Sequence, residues 1–207
     1  MPQPPTAAEI DHAARLLTAG RLVAFPTETV YGLGANALDT DAVARIYSVK
    51  RRPPSSPLIV HVDSIEMAQS LVTAWPESAG LLARKFWPGP LTLVFHSAPQ
   101  VLPEVTGGSG KIGIRIPRNL FCIRLSELAG CPLTSTSANI SGEAVPETVQ
   151  DIERSLGAGV DLFIDAGVLP RSLPSTVVDV AEGTPRLVRE GVIPFEDLQR
   201  IVPTILR

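Results

Sequence analysis

The chain has 207 residues, of which 44% are hydrophobic and 19% are charged, and its formal net charge is −3. This composition is typical of a soluble protein that folds around one sizeable core, and it excludes a largely disordered chain. The slightly acidic balance gives no global sign of a tight nucleic-acid partner, although a local basic patch is compatible with it.

The cysteines and the N-terminus indicate the compartment. Cys122 and Cys131 form neither a metal-ligand spacing nor a disulfide framework, which suits a reducing environment. The first residues contain no apolar core of a signal peptide, and no window approaches the ~18 apolar residues of a membrane span. We therefore expect a cytoplasmic protein without membrane contact.

The helical segments carry clear start and stop signals. Thr6 followed by Glu9 is a capping-box pattern, and Gly20 is a suitable residue to end the helix that begins there. The same reasoning predicts further helices at residues 39–50, from residue 63, and at 76–86, 118–129, 146–156 and 194–202.

Strands are predicted between these helices, at residues 21–25, 58–62, 91–95, 112–116, 132–135, 162–164, 176–180 and 186–189. Several of them follow one another with connections too short for a parallel crossover. The sequence therefore predicts an α/β (α+β) fold with a mixed sheet, and no repeat or long linker divides the chain.

Two segments in the first third of the chain place polar side chains on constrained backbone. Residues 26–34 (PTETVYGLG) combine three hydroxyl side chains with two glycines, which suits a small polar ligand, although by itself the segment favours a strand and turn. Residues 50–57 (KRRPPSSP) carry three cations from a helix end into a proline-fixed loop. Such cations bind phosphate oxygens, but they also complement a helix dipole, so both interpretations stay open.

Residues 106–111 (TGGSGK) match a phosphate-binding loop only in part. The pattern G-x-x-x-x-G-K-[ST] needs Gly where Val105 stands and a hydroxyl where Ile112 stands. We therefore predict that the chain is not a nucleotide hydrolase of that class. A flexible Gly-rich loop could still deliver Lys111 to an anion, but on these residues alone we expect an ordinary mobile hairpin.

Three further polar features stand out. Arg115 is the one charge in residues 112–117 (IGIRIP), where it pairs with either a core carboxylate or a ligand carboxylate. His61, in residues 58–62 (LIVHV), is either a core histidine or a ligand contact. Residues 134–142 (TSTSANISG) hold five hydroxyl side chains and one amide, which suit either a turn or the wall of a nucleotide site.

Taken together, seven segments in order resemble the YrdC-like family of L-threonylcarbamoyladenylate synthases. They are PTETVYGLG, KRRP followed by PLIVHV, KFWPGPLTLVF, IGIRIP, TSTSANISG, PSTVVDV and RLVREGVI. The resemblance runs from about residue 20 to 193, so we expect a single YrdC-like domain over residues 1–207. It implies a twisted, mostly mixed or antiparallel sheet flanked by helices around a wide basic cleft.

The resemblance also implies an activity, that of a nucleotidyltransferase. L-threonine, bicarbonate and ATP, with Mg²⁺, would give threonylcarbamoyl-AMP and pyrophosphate. A downstream tRNA threonylcarbamoyl transferase complex would then use this product to form N6-threonylcarbamoyladenosine at position 37 of tRNA. Contact of this chain with tRNA itself is expected to be weak or transient.

Site roles are carried over motif by motif. Lys50 and Arg52 would act as catalytic residues beside the phosphates. Threonine would contact Thr29, His61, Arg115, Ser135 and Ser175. ATP would contact Lys50, Arg52, Ser56, Lys111, Ser137, Asn139, Val145 and Arg189. No residue is assigned to a metal. Ser56, Asn119 and Val145 depart from residues frequent in the family, and at Val145 a contact could come only from backbone.

Three alternatives remain on sequence grounds. One is a non-enzymatic RNA-binding module of the same fold. Another is a paralogue that acts on a different carbamoyl or acyl substrate. The third is the related domain that makes carbamoyl-adenylate during hydrogenase maturation, which in long chains lies beside CxxC motifs that this sequence lacks.

Overall fold

The computed structural model describes residues 5–169 and 172–207, and it confirms the predicted α/β class. Residues 1–4, the start of the stretch considered for a signal peptide, lie outside the described part. The helices are α1 (Ala7–Thr18), α2 (Thr40–Lys50), α3 (Ile65–Ser70), α4 (Glu77–Phe86), α5 (Leu120–Ala129), α6 (Val149–Leu156) and α7 (Phe195–Ile201). Among them, none has the length and apolar character that crossing a bilayer requires.

The strands are short, between two and six residues each. They are β1 (Val23–Pro26), β2 (Tyr31–Gly34), β3 (Ile59–His61), β4 (Leu91–His96), β5 (Lys111–Arg115), β6 (Leu133–Thr134), β7 (Thr136–Ser137), β8 (Leu162–Phe163), β9 (Thr176–Asp179) and β10 (Arg186–Arg189). A 3₁₀ turn at Gly157–Gly159 follows α6. All the predicted helices and strands are present, with ends shifted by a few residues. Two strands are additional: β2, within the segment interpreted as a strand and turn, and β7, within the hydroxyl-rich segment.

Polar caps fix where the helices begin. The predicted capping box of α1 is confirmed, because the Thr6 hydroxyl accepts a hydrogen bond from Glu9 N at 3.3 Å and the Glu9 carboxylate accepts one from Thr6 N at 2.7 Å. The helix predicted from residue 146 begins at Val149, because Thr148 is its cap and accepts from Asp151 N at 3.2 Å. The proline at 146 therefore precedes the helix instead of occupying its first turn.

The strands form two mixed sheets, where the sequence predicted one. The larger sheet has the order β10-β9-β4-β5-β3-β6, and the smaller has the order β7-β2-β1-β8. The chain passes from one to the other at Ser135, since Thr134 is paired with Val60 of β3 and Ser137 with Gly32 of β2. This crossing places the hydroxyl-rich segment at the junction of the sheets.

The main core is shared by both sheets, with Leu33 of β2, Leu93 of β4 and Ile114 of β5 among its buried members. A second cluster lies where α1 and α5 pack against β1, and there the rings of Phe25 and Phe121 lie 6.0 Å apart. Because both sheets contribute to the main core, the junction between them rests on tightly packed side chains.

A buried lysine ties the crossing segment to α2. Lys50, the last residue of α2, is 1% exposed, and its ammonium donates to the carbonyl oxygens of Ser137 and of Asn139, the latter at 2.6 Å. Burial, together with the nearby charge of Arg52, lowers the pKa of Lys50 from its ordinary 10.5 to about 8. The lysine is thus a buried charge that fixes the backbone of the crossing segment through two hydrogen bonds.

Two glycines predict opposite responses to alanine. At Gly80, inside α4, an added Cβ would meet Trp75 Nε1 at 3.5 Å, an ordinary contact, so Gly80→Ala should stabilise the protein by about 0.5–1 kcal/mol. At Gly34 the Cβ would overlap the ring of Phe25, so Gly34→Ala should destabilise it by about 1–3 kcal/mol. Urea unfolding of both variants measures the two changes, and a Gly34→Ala variant as stable as wild type would contradict the packing described.

The lowered pKa of Lys50 should make the stability of the protein depend on pH. Because its pKa is lowered on folding, the unfolded chain holds this proton more tightly, and the penalty of the buried charge is fully present below about pH 8. The penalty is relieved as the pH rises from about 8 to about 10.5. Over that range wild type should gain up to about 3 kcal/mol of unfolding free energy relative to Lys50→Met.

Urea unfolding of the two proteins at about pH 7.5 and about pH 10 gives this difference directly. The other groups that titrate in this range are shared by both proteins and cancel. If the unfolding free energy of wild type minus that of Lys50→Met stays constant or falls between the two pH values, the assignment is wrong.

Candidate functional site

A cleft of about 710 Å³ lies at the junction of the two sheets. It is lined by most of the residues predicted to bind ligands: Thr29, Arg52, Ser56, His61, Arg115, Ser135, Ser137, Val145, Ser175 and Arg189. Lys50, Asn139 and Lys111 are not among its lining residues. The cleft therefore brings together the segments that the sequence marked separately.

Arg115 lies at the end of β5, and its guanidinium is held by two partners. Its Nε donates to the carbonyl oxygen of Gly89 at 2.9 Å, and its Nη2 forms an ion pair with Glu28 Oε1. The same carboxylate oxygen accepts a hydrogen bond from Arg118 N at 2.8 Å. Arg115 is thus paired with a carboxylate of its own chain and also faces the cleft, so both interpretations of this arginine are compatible with the structure.

His61 is the register partner of Arg115, on the neighbouring parallel strand β3. It is 4% exposed, and its Nδ1 has no hydrogen-bond partner among the described residues. Burial and the charge of Arg115 hold the pKa of His61 well below its ordinary 6.5. The imidazole is therefore neutral at pH 7 and can both donate and accept a hydrogen bond.

Arg189 and Ser175 form another wall. Arg189 Nη2 donates to the Ser175 carbonyl oxygen at 2.9 Å, and the Ser175 hydroxyl lies 2.9 Å from that of Thr92, which is fully buried. Burial, and then the charge of Arg115, lowers the pKa of Arg189. The two arginines are therefore close enough to repel each other.

The loop that carries Arg52 and Ser56 is held in place by hydrogen bonds to its carbonyl groups. Arg52 Nε and Nη2 donate to the carbonyl oxygens of Ser56 and Pro57, at 3.2 and 2.8 Å. The Tyr47 hydroxyl contacts the Ser56 oxygen at 2.8 Å and the Glu104 oxygen at 2.6 Å. Arg52 therefore reaches the cleft from a loop whose carbonyl groups are already fixed.

Gly107 permits the close approach of the neighbouring loop. It has a φ of +59°, and an added Cβ would lie 2.7 Å from the Ser55 oxygen, so both backbone conformation and space require glycine there.

Three predicted residues lie elsewhere. Lys50 is behind the cleft, on the carbonyl groups of Ser137 and Asn139. Asn139 is also behind it, where its amide donates to the Glu143 oxygen at 2.8 Å. The ammonium of Lys111, at the opposite end of β5 from Arg115, is 2.9 Å from both Asp179 and Glu182. This ion-paired position gives no support to its predicted contact with ATP.

The charges of the lining are one-sided. Arg52, Arg115, Arg189 and the neutral His61 face the cleft together with hydroxyl groups, and no described lining residue is acidic. The described residues also contain no group of three or more His, Cys, Asp or Glu that could hold a metal ion. Such a cleft is suited to anions that carry carboxylate or phosphate groups.

Sequence reasoning missed the residues that hold the lining in place. These residues are Glu28, in PTET, and Thr92, in PLTLVF. Glu28 pairs with Arg115, 87 residues away in the chain, and Thr92 pairs with Ser175, 83 residues away. The only local signal was a charged or hydroxyl side chain inside a buried segment.

Comparisons with known proteins give matches over most of the chain. The Sua5/YciO/YrdC family model, described as "Telomere recombination", matches residues 15–191. Threonylcarbamoyl-AMP synthase of Pyrococcus abyssi is 42% identical over 193 residues, and the match covers 93% of this chain and 57% of that protein. The protein of the same name from Bacillus subtilis is 40% identical, with 95% and 57% covered. The chain thus spans little more than half the length of these two relatives.

Solved structures show the same fold. The crystal structure of P. abyssi Sua5 complexed with L-threonine has a TM-score of 0.93 and 39% identity, and the match covers 99% of this chain and 61% of that one. E. coli YciO has a TM-score of 0.84 and 27% identity, with 95% and 96% covered. The family model covers most of the chain, and the relatives share about 40% of its residues. The chain belongs to the Sua5/YciO/YrdC family.

Proposed function

We propose that the chain is a threonylcarbamoyl-AMP synthase, which converts L-threonine, bicarbonate and ATP to threonylcarbamoyl-AMP and pyrophosphate. The observation that carries this proposal is the convergence of Arg52, Arg115 and Arg189 on one cleft that has no acidic described residue in its lining. The names of the P. abyssi and B. subtilis relatives, and the threonine bound to P. abyssi Sua5, support it.

The residues divide between the two substrates. Arg115 is desolvated and its orientation is fixed, so it would bind the threonine carboxylate, with neutral His61, Thr29, Ser135 and Ser175 around the rest of the amino acid.

Arg52 and Arg189 would bind the triphosphate, with Ser56, Ser137 and the backbone at Val145 beside the nucleotide. Lys50 and Asn139 would act from behind by shaping the segment that carries Ser137.

This arrangement fits a reaction that needs no side-chain nucleophile. The threonine amine adds to the bicarbonate carbon, and water leaves to give a carbamate. A carbamate oxygen then attacks the α-phosphorus, and the bond to the leaving pyrophosphate breaks. The protein's part is to orient the two anions and to neutralise charge that develops on the phosphates, which the arginines would do.

Mg²⁺ would enter with the triphosphate, whose oxygens are ligands that it prefers. It would neutralise part of the phosphate charge, and the described residues provide no cluster of their own to hold it. Ser56, Ser137 and the two arginines would then hold the nucleotide itself.

The wider setting is part of the same proposal. We place the chain in the cytoplasm, as a single YrdC-like domain that passes its product to a tRNA threonylcarbamoyl transferase complex and touches tRNA only transiently.

Threonine-dependent release of pyrophosphate from ATP and bicarbonate tests the proposal. Arg52→Ala should lower the rate by roughly 10²–10³, the loss typical of a group that stabilises transition-state charge. Arg51→Asn is the matched control: Arg51 is exposed and is not among the residues that line the cleft, and asparagine tolerates its φ of 48°. This variant should keep a rate near that of wild type.

Serine, carbamoyl phosphate and reactions without amino acid serve as substrate controls. If folded wild type releases no more pyrophosphate with threonine than without it, the synthase proposal is wrong. Activity with carbamoyl phosphate alone would favour the carbamoyl-adenylate alternative, and tight tRNA binding at physiological salt without ATP would favour the RNA-binding one.

A further inference from the structure

We propose that Glu28 is a positioning residue for the amino-acid substrate, which acts by holding the Arg115 guanidinium where the substrate carboxylate binds. The inference deepens the proposed function and rests on it. Glu28 is not among the residues that line the cleft, so it would act through Arg115 and not touch the substrate itself.

The pair joins the two sheets. Glu28 lies between β1 and β2 of the smaller sheet, whereas Arg115 ends β5 of the larger one. The side chains are 19% and 5% exposed, so their interaction is only weakly screened by water. Arg118 N donates to the same carboxylate oxygen, which fixes Glu28 against the backbone that follows β5. The position of the guanidinium thus depends on both sheets.

Glu28 occupies only part of the hydrogen-bonding capacity of the Arg115 guanidinium. A guanidinium has five N–H groups in one plane. For Arg115, Nε is used by Gly89 and one N–H of Nη2 by Glu28. These two partners fix the plane of the group, and the remaining N–H groups of this cleft-lining arginine are available for a ligand carboxylate. The second oxygen of Glu28 is buried and has no hydrogen-bond partner among the described residues, so it is still able to accept one.

Repulsion inside the cleft explains why a negative partner is needed. Burial is the main cause of the lowered pKa of Arg189 and of His61, and the charge of Arg115, which lies close to both, adds to it. Without Glu28, Arg115 would be a buried cation beside another cation, a costly arrangement. The guanidinium would then move toward solvent or toward bound phosphates, and it would lose its alignment with the amino acid.

Glu28→Gln tests the inference, because glutamine keeps the size and one acceptor but removes the charge. Titration calorimetry should show L-threonine binding weakened at least about tenfold, since a charge-assisted contact is lost, while binding of a non-hydrolysable ATP analogue stays within about twofold. In steady-state assays KM for threonine should rise far more than kcat falls. Glu127→Gln is the matched control, because it removes an exposed carboxylate from the ion pair with Arg124, and it should change neither affinity.

The outcomes are separable from failure of the synthase proposal. If wild type binds threonine and Glu28→Gln binds it equally well, the positioning role is wrong and the synthase proposal stands. Equal losses for threonine and the ATP analogue would mean a merely structural role and would also overturn the inference. If wild type binds no threonine, both proposals fail together.

Should Glu28→Gln not fold, Glu28→Asp replaces it, because it keeps the charge but shortens the reach by one methylene. Glu28→Asp should weaken the binding of L-threonine but not that of the ATP analogue. The loss of affinity should be smaller than the one expected for Glu28→Gln. Affinities equal to wild type, or equal losses for both ligands, would contradict the positioning role.

Discussion

The crossing of residues 133–137 between the two sheets is the constraint on which the cleft depends. Thr134 continues the ladder of the larger sheet and Ser137 that of the smaller, so the hydroxyl groups between them lie where the sheets meet. The Lys50 ammonium holds the next carbonyl groups in place. A buried cation is costly, but here the ammonium is satisfied by two backbone oxygens, and the one of Ser137 also accepts from Asn139 N at 2.9 Å.

The same junction concentrates positive charge. Arg52 arrives on a loop pinned by Tyr47, Arg189 is braced by the Ser175 carbonyl group, and Arg115 is held by Gly89 and Glu28. Each guanidinium is therefore oriented by the chain before any ligand binds. Arg115 and Arg189 repel each other, which is part of the cost of this arrangement, and anionic ligands would relieve that repulsion.

Local signals in the sequence predicted much of the fold. Thr6 and Asp39 mark helix starts that the structure confirms, because a cap is decided by residues three positions apart. The division into two sheets could not be predicted, since it depends on Thr134 and Ser137 choosing different partner strands. The start of α6 was predicted too early, at Pro146. The helix begins at Val149 because the Thr148 side chain caps it.

The site was accessible to sequence analysis through its motifs more than through its chemistry. Arg115 and His61 each left two interpretations open by themselves, and only the order of the motifs assigned them to one site. The glycines before Lys111 suggested an anion site, but the ammonium pairs with Asp179 and Glu182 across the sheet. Long-range pairings of this kind, like that of Glu28 with Arg115, need the tertiary structure.

A crystal structure of the chain with L-threonine and a non-hydrolysable ATP analogue would test the central claim most directly. We expect the threonine carboxylate on the free N–H groups of Arg115, with the Glu28 pair intact, and the triphosphate on Arg52 and Arg189. Threonine bound away from Arg115, or phosphates bound at Lys111 with the cleft empty, would contradict it.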